Sequence, residues 1–356
     1  MRPFERPIGP GVAVRARAPL RLGLAGGGTD VSPYCDTYGG AVLNWTIDRH
    51  AYCFIEASPD DHIHFVAYDL AVEERIARSP AALAGARLAM HAGVYRRMMR
   101  DFAPGAWPAL RVSTHVDAPP GSGLGSSSAL VVAMVEAFRT LLALPLGLYD
   151  VAHLAFEIER NDLALAGGKQ DHYAAAFGGA NFIEFLGGDR VIVNPLRVPR
   201  GVTNELETSL VTCFMGVSRQ SDLIIAEQQR NVTEGNLDAI ESMHRLKHDA
   251  IEMKQALLRG EIAAVAAILN RSWDAKKRIA RQVSNRQIEH LHAAAMAAGA
   301  LAGKVSGAGG GGFFMFIVPP QRRVHLIRSL NEMDATASAV HFTTGGAESW
   351  VAGTER

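Results

Sequence analysis

The sequence carries no net charge and little cysteine. Its 36 Lys and Arg residues balance 36 Asp and Glu residues among 356, so no overall field draws the chain to nucleic acid or to an acidic membrane surface, and a small-molecule partner is favoured. Three cysteines, Cys35, Cys53 and Cys213, are scattered and odd in number. They match neither a disulfide framework nor a zinc site, and read as small buried hydrophobes in a reducing cytoplasm. No uncharged apolar run reaches membrane-spanning length, and residues 1–11 hold charge and proline without an apolar signal core. A cytoplasmic protein with no membrane contact is expected. Internal repeats and low-complexity tails are also missing, and proline is absent from residues 221–299.

Alternation and turn formers mark the first half as strand-rich. Strands are expected at residues 12–24, 41–47, 52–57, 63–66 and 110–116, and two shorter ones at 180–185 and 190–193. Helical spacing runs over 126–142 and 149–160. Pro195, Pro199 and Gly201 then cluster, which sets an expected domain boundary near residue 200. Beyond it, a strand at 209–215 precedes three or four helices over 221–299, a glycine loop at 306–312, a strand at 313–318, a helix and a last strand around Val340. Strands and helices mixed in this way indicate an α+β protein of two domains, residues 1–200 and 201–356.

The most informative segment is 119–129, Pro-Pro-Gly-Ser-Gly-Leu-Gly-Ser-Ser-Ser-Ala. It lies between an expected strand and an expected helix, where unpaired backbone N–H groups and the positive helix end converge and glycines let the main chain approach an anion. Ser126, Ser127 and Ser128 fall in the first helical turn, placed to cap the helix or to reach a metal held by a phosphate. The loop has no lysine, so it is not a Walker loop, and its third glycine falls too early for the dinucleotide fingerprint. Two more glycine-rich segments occur at 24–30 and 304–312, each at the edge of an expected element. Glycine costs conformational entropy where it has no purpose, so three such segments point beyond ordinary turns.

On these segments the chain resembles the GHMP kinase superfamily, which includes galactokinase, homoserine kinase and mevalonate kinase. Ala18-Pro19-Leu20-Arg21 through Gly28-Thr29-Asp30 resembles the family's first motif, residues 119–128 the second, and residues 304–312 the third. The resemblance implies an N-terminal α/β domain like the second domain of ribosomal protein S5 and a ferredoxin-like C-terminal α+β domain. It implies ATP and magnesium as cofactors, with nucleotide phosphates held by Pro119, Gly121, Gly123, Leu124, Gly125, Ser126, Ser127 and Ser128. Ser127 is the implied magnesium ligand, flanked closely enough by Ser126 and Ser128 that a shift of one position stays open.

An acidic metal ligand is implied on the helix at 149–160, where Glu157 and Glu159 compete. With Val151, Leu154, Ala155 and Ile158 facing inward, Glu159 lies roughly 80° from that face and Glu157 roughly 120°, at about 100° per residue. Geometry favours Glu159. The implied catalytic aspartate is Asp171, which would take the proton from a sugar hydroxyl as the bond to phosphorus forms. Arg21 is the implied cation beside it, with Lys169 a weaker candidate. The implied substrate residues are Gly28, Thr29, Asp30, Gly168, Gly309 and Gly310.

Galactokinase carries Gly-Glu-His-Thr-Asp where this chain has Gly26-Gly27-Gly28-Thr29-Asp30, which implies a roomier sugar pocket. The glycine-rich first motif, Gly167-Gly168-Lys169-Gln170-Asp171 and Trp273-Asp274-Ala275-Lys276-Lys277 resemble most the D-glycero-α-D-manno-heptose 7-phosphate kinases, with the kinase half of fucokinase next. Arg219, Lys276 and Lys277 are candidates to hold a substrate phosphate. A fucokinase-like monosaccharide 1-kinase is the second reading, and a catalytically silent sugar or nucleotide sensor is the reading from another class. A homodimer is left open. His50, His62, His64 and His172 have no metal-ligand spacing.

Overall fold

The computed structural model describes residues 12–216 and 221–353. In the first half, β1 (Val12–Ala25), β2 (Gly40–Ala57), β3 (Ile63–Ala67), β4 (Val72–Ile76), β5 (Leu110–Val116), β6 (Ala180–Leu186) and β7 (Arg190–Pro195) build one large sheet. The two strands expected at 41–47 and 52–57 are a single strand of 18 residues. Asp48, Arg49 and His50, whose polarity suggests a turn, are the stretch of β2 that emerges toward solvent. Before that stretch β2 pairs with β6, and after it with β5, while β1 runs along its other edge.

The helix Ser126–Leu141 packs on β1 and β2, and its residues from Ser128 to Phe138 are buried on every side. That explains why its sequence is apolar throughout rather than striped. The helix Ala89–Phe102, which the sequence reading did not include, runs unbroken through Gly93. A side chain at Gly93 would meet Leu163 Cδ2 at 2.9 Å, so the glycine admits a close neighbour.

In the second half, β8 (Leu210–Phe214), β9 (Ala302–Val305), β10 (Phe313–Ile317) and β11 (Thr336–Ser338) form an antiparallel sheet in the order β11-β8-β10-β9. Over residues 221–299 four α-helices lie among the described residues: Ser221–Thr233, Leu237–Arg259, Ile262–Lys276 and Arg286–Ala297. One strand from beyond residue 200 joins the first sheet. Strand β12 (Glu348–Gly353) does not stay with the second half but pairs antiparallel with β1 at the edge of the first sheet. The cores are joined as well. Met253 and Leu257 of one late helix and Leu269 of the next belong to the same apolar cluster as Leu20, Leu22 and Leu43.

Candidate active site

The three glycine-rich segments meet at the seam between the halves. Gly123 has φ +78° and Gly307 φ +76°, a region open to glycine at little cost, and a Cβ at Gly123 would lie 2.4 Å from the Ser306 carbonyl oxygen. The second and third segments therefore touch backbone to backbone. Ser306 Oγ donates to the Gly123 carbonyl at 2.9 Å, and Arg21 N donates to the Leu124 carbonyl at 3.0 Å. Together they border a cleft of about 290 Å³.

Gly121, Gly123, Gly125, Ser126, Ser127 and Ser128 line this cleft. Pro119 and Leu124 shape the loop from behind, Pro119 by accepting the Ser122 N–H at 3.2 Å and Leu124 by complete burial. The helix Ser126–Leu141 starts after Gly125, which has no side chain to cap it. Its first N–H groups are thus left for an anion.

Asp171 lies opposite, near the start of the helix Gln170–Phe177. Arg21 Nε donates to its Oδ1 at 2.7 Å, and a terminal Arg21 nitrogen stands 2.6 Å from the same oxygen. Lys169, the weaker candidate for this pairing, points elsewhere: its Nζ lies 2.6 Å from Asp189 and 5.5 Å from the centre of the Phe156 ring.

Asp30 is buried beside them. Its Oδ2 accepts the Gln170 backbone N–H at 3.0 Å and its Oδ1 the Gln170 amide at 2.9 Å. Burial raises its pKa, the Gln170 N–H opposes that shift, and the charge of Asp171 adds to it. Thr29 does not reach the cleft but closes the turn, donating to the carbonyls of Gly26 at 2.8 Å and Ala41 at 2.9 Å. Gly168 has no room for a side chain, since a Cβ there would sit 1.9 Å from Asp30 Oδ2. Gly168→Ala is expected to push the Asp30 carboxylate aside and, if Asp30 takes the substrate the resemblance implies, to raise its KM about tenfold. An unchanged KM would reject the substrate role that the resemblance implies for Asp30.

Glu157 and Glu159 part company on a local irregularity. The α-helix expected to run to residue 160 stops at Phe156, and Glu157–Asp162 is a π-helix, a form often found at functional sites. The uniform 100° per residue therefore does not hold there. Glu159 is turned inward, with Oε1 against the Ser127 hydroxyl and Oε2 2.6 Å from both Ser128 Oγ and His172 Nε2. Glu157 instead lies 2.5 Å from Arg97. Burial works against charge on Glu159, but the His172 hydrogen bond and field, then Arg160 and Ser127, outweigh it and hold its pKa well below the ordinary carboxylate range. A hydroxyl and an ionised carboxylate at one cleft wall are a hard oxygen pair that fits magnesium, whose other positions go to phosphate and water. Sequence reasoning left His172 without a role; its link to Glu159 crosses from one helix to another and has no spacing signal.

At Gly27 and Gly28, where galactokinase carries larger residues, the neighbouring groups are close. At Gly28 the vacated volume is taken by Gln228, whose Oε1 stands 3.2 Å from where a Cβ would be and whose Nε2 donates to the Gly28 carbonyl at 2.7 Å. At Gly27 the nearest groups to such a Cβ are Gln170 Nε2 at 3.7 Å and Lys276 Nζ at 3.8 Å. Lys276 is buried in the cleft wall and its Nζ donates to the Gly307 carbonyl. Burial and the nearby Arg21 pull its pKa down to about 8, against the opposing fields of Asp30 and Asp171. Lys304, fully buried, donates to the carbonyls of Gly23 at 3.1 Å and Leu24 at 3.2 Å and so ties the third segment to the first.

Besides Thr29, the expected substrate residues Gly309, Gly310 and Lys277 do not line the cleft. Gly307 and Ala308, rather than Gly309 and Gly310, supply the third segment's share of the wall, because Gly310 N is turned to the Val283 carbonyl at 2.9 Å. Arg219 lies outside the described residues. Lys277 pairs with Asp274 at 3.1 Å, away from the cleft.

Comparison with known proteins agrees with this geometry. The family model described as the GHMP kinases N terminal domain matches residues 89–179, and that described as GHMP kinases C terminal matches residues 253–335. The chain is 42% identical over 337 residues to the D-glycero-alpha-D-manno-heptose 7-phosphate kinase of Campylobacter jejuni, covering 95% of this chain and 98% of that protein. A crystal structure of a D-glycero-D-manno-heptose 1-phosphate kinase from Bacteroides thetaiotaomicron is similar with a TM-score of 0.78 and 42% identity, covering 95% of this chain and 98% of the other. Lactococcus lactis galactokinase, crystallised with galactose, shares the fold at a TM-score of 0.74 and 16% identity, over 94% of each chain.

Proposed function

This chain belongs to the GHMP kinases, and we propose that it transfers the γ-phosphoryl group of ATP to the anomeric hydroxyl of D-glycero-α-D-manno-heptose 7-phosphate. The product is the 1,7-bisphosphate, an intermediate toward nucleotide-activated heptose for surface polysaccharide. The observation that carries the choice of sugar is the 42% identity to the Campylobacter jejuni enzyme over nearly the whole of both chains.

The chemistry follows from the residues around the cleft. The glycine loop and the open N-terminus of the helix Ser126–Leu141 hold the nucleotide phosphates. Asp30, fixed by Gln170, receives sugar hydroxyls. Asp171 accepts the proton of the anomeric hydroxyl, and Arg21 keeps that carboxylate aimed. As the sugar oxygen bonds to the γ-phosphorus, the bond from that phosphorus to the β–γ bridging oxygen breaks, and ADP departs. Ser127 and Glu159 would hold magnesium, which when bound offsets the charge of the phosphate oxygens.

ADP release measured over a sugar panel tests this reading. Heptose 7-phosphate is expected to exceed unphosphorylated heptose, heptose 1-phosphate, fucose and galactose by at least about tenfold in kcat/KM. Faster turnover of fucose or galactose would reject it.

A further inference from the structure

Two buried cations stand at the reacting end of the cleft, and they differ in what their donors do. Arg21 spends Nε and one terminal nitrogen on Asp171, and its other terminal nitrogen on the Gly123 carbonyl at 2.7 Å and Ser306 Oγ at 3.2 Å. Four of its five N–H groups thus point at protein acceptors. Arg21 is occupied as the holder of Asp171. Lys276 has three donors, and among the described residues it makes one hydrogen bond, to the Gly307 carbonyl, and no ion pair. An ammonium left unpaired inside a protein is costly, and an anionic ligand that reaches it removes that cost.

The surroundings of Lys276 say which anion. Its anchor, Gly307, abuts the phosphate loop, since a Cβ there would lie 2.6 Å from Gly123 Cα. On the other side Nζ approaches Gly27 of the first segment. The charged groups whose fields reach it are Arg21, Asp30, Asp171 and, beyond them, Lys304. Arg21, Asp30 and Asp171 line the same cleft as Lys276. A phosphate on C7 of the sugar is joined to the anomeric carbon through C6, C5 and the ring oxygen, several bonds from the oxygen that Asp171 addresses.

We propose that Lys276 is a further catalytic residue, whose ammonium contacts the γ-phosphoryl group of ATP and stays with it as it passes to the sugar oxygen. This rests on the kinase reading above but not on the identity of the sugar. The phosphoryl group moves from the β–γ bridging oxygen to the sugar oxygen, the hydroxyl proton goes to Asp171, and Lys276 keeps its own proton throughout.

The test compares Lys276→Met and Lys276→Arg with the unaltered protein. Calorimetry without sugar is expected to show that Lys276→Met weakens a non-hydrolysable ATP analogue about tenfold or more and leaves ADP within about twofold. Turnover should fall ten- to a hundredfold on heptose 7-phosphate and on the unphosphorylated heptose alike, with partial rescue in Lys276→Arg. Thermal melting should not be lowered, because the variant removes a desolvated charge. Equal weakening of the ATP analogue and ADP overturns the proposal. So does a defect confined to the KM of the phosphorylated sugar, which would assign Lys276 to the substrate's own phosphate. Should another sugar prove to be the substrate, the contrast between ATP analogue and ADP still reports on Lys276.

Discussion

Asp171→Asn is expected to lower kcat by about 10³-fold while calorimetric ATP affinity stays within about twofold. The asparagine keeps the size of the side chain and one oxygen to receive Arg21, which in the native protein directs two nitrogens at a single carboxylate oxygen, 2.7 and 2.6 Å away. What it loses is the ability to take a proton. The sugar hydroxyl must then release its proton to water while the bond to phosphorus forms, and the loss falls on turnover rather than on binding. Steady-state ADP release with heptose 7-phosphate measures the effect. Turnover within a few-fold of the native value would remove Asp171 from the proton transfer and leave the Arg21 pair as a structural clamp.

The second large effect is expected at Glu159, where one substitution touches both fold and chemistry. Glu159→Gln should raise the magnesium concentration needed for half-maximal activity at least tenfold and cut turnover by about 10²- to 10³-fold. Stability should fall by about 2–4 kcal/mol. The carboxylate gathers the hydroxyls of Ser127 and Ser128, His172 Nε2 and Arg160, and an amide turns an acceptor into a donor facing one of those donors. The pH dependence has a defined sign. Because the folded state holds this carboxyl below its ordinary value of 4.5, the unfolded chain binds the proton first on acidification. Its stabilising contribution is therefore complete above pH 4.5 and is lost as the pH falls below that value toward the folded pKa. Melting temperatures between pH 3 and 7 should show an acid-side decline in the native protein that is smaller in Glu159→Gln. Parallel curves for the two proteins would remove Glu159 as the group responsible.

Elements and motifs with local causes were legible in the sequence. The strand at 110–116, the glycine loop and the helix after it follow from alternation, from glycine and from an apolar run, and all three are set within a few residues of one another. The missed helix Ala89–Phe102 and the fused strand β2 show where such reasoning stops. Gly93 and Asp48-Arg49-His50 look like breaks along the chain, and only their neighbours in space make them part of an element. The sheet-edge strand β12 fails for the same reason, since its partner is more than 300 residues away in β1.

The sequence by itself determined the family, the α+β architecture of two halves and the three glycine-rich segments, because each is written in contiguous residues whose backbone demands are local. Tertiary structure alone decided how those segments serve a site. It turned Glu159 inward through a π-helix, brought His172 to it, filled the space over Gly28 with Gln228 and left Lys276 with donors to spare where Arg21 spends four of its five N–H groups on the protein. Those outcomes depend on burial and on contacts between residues far apart in the chain, which no spacing along it encodes.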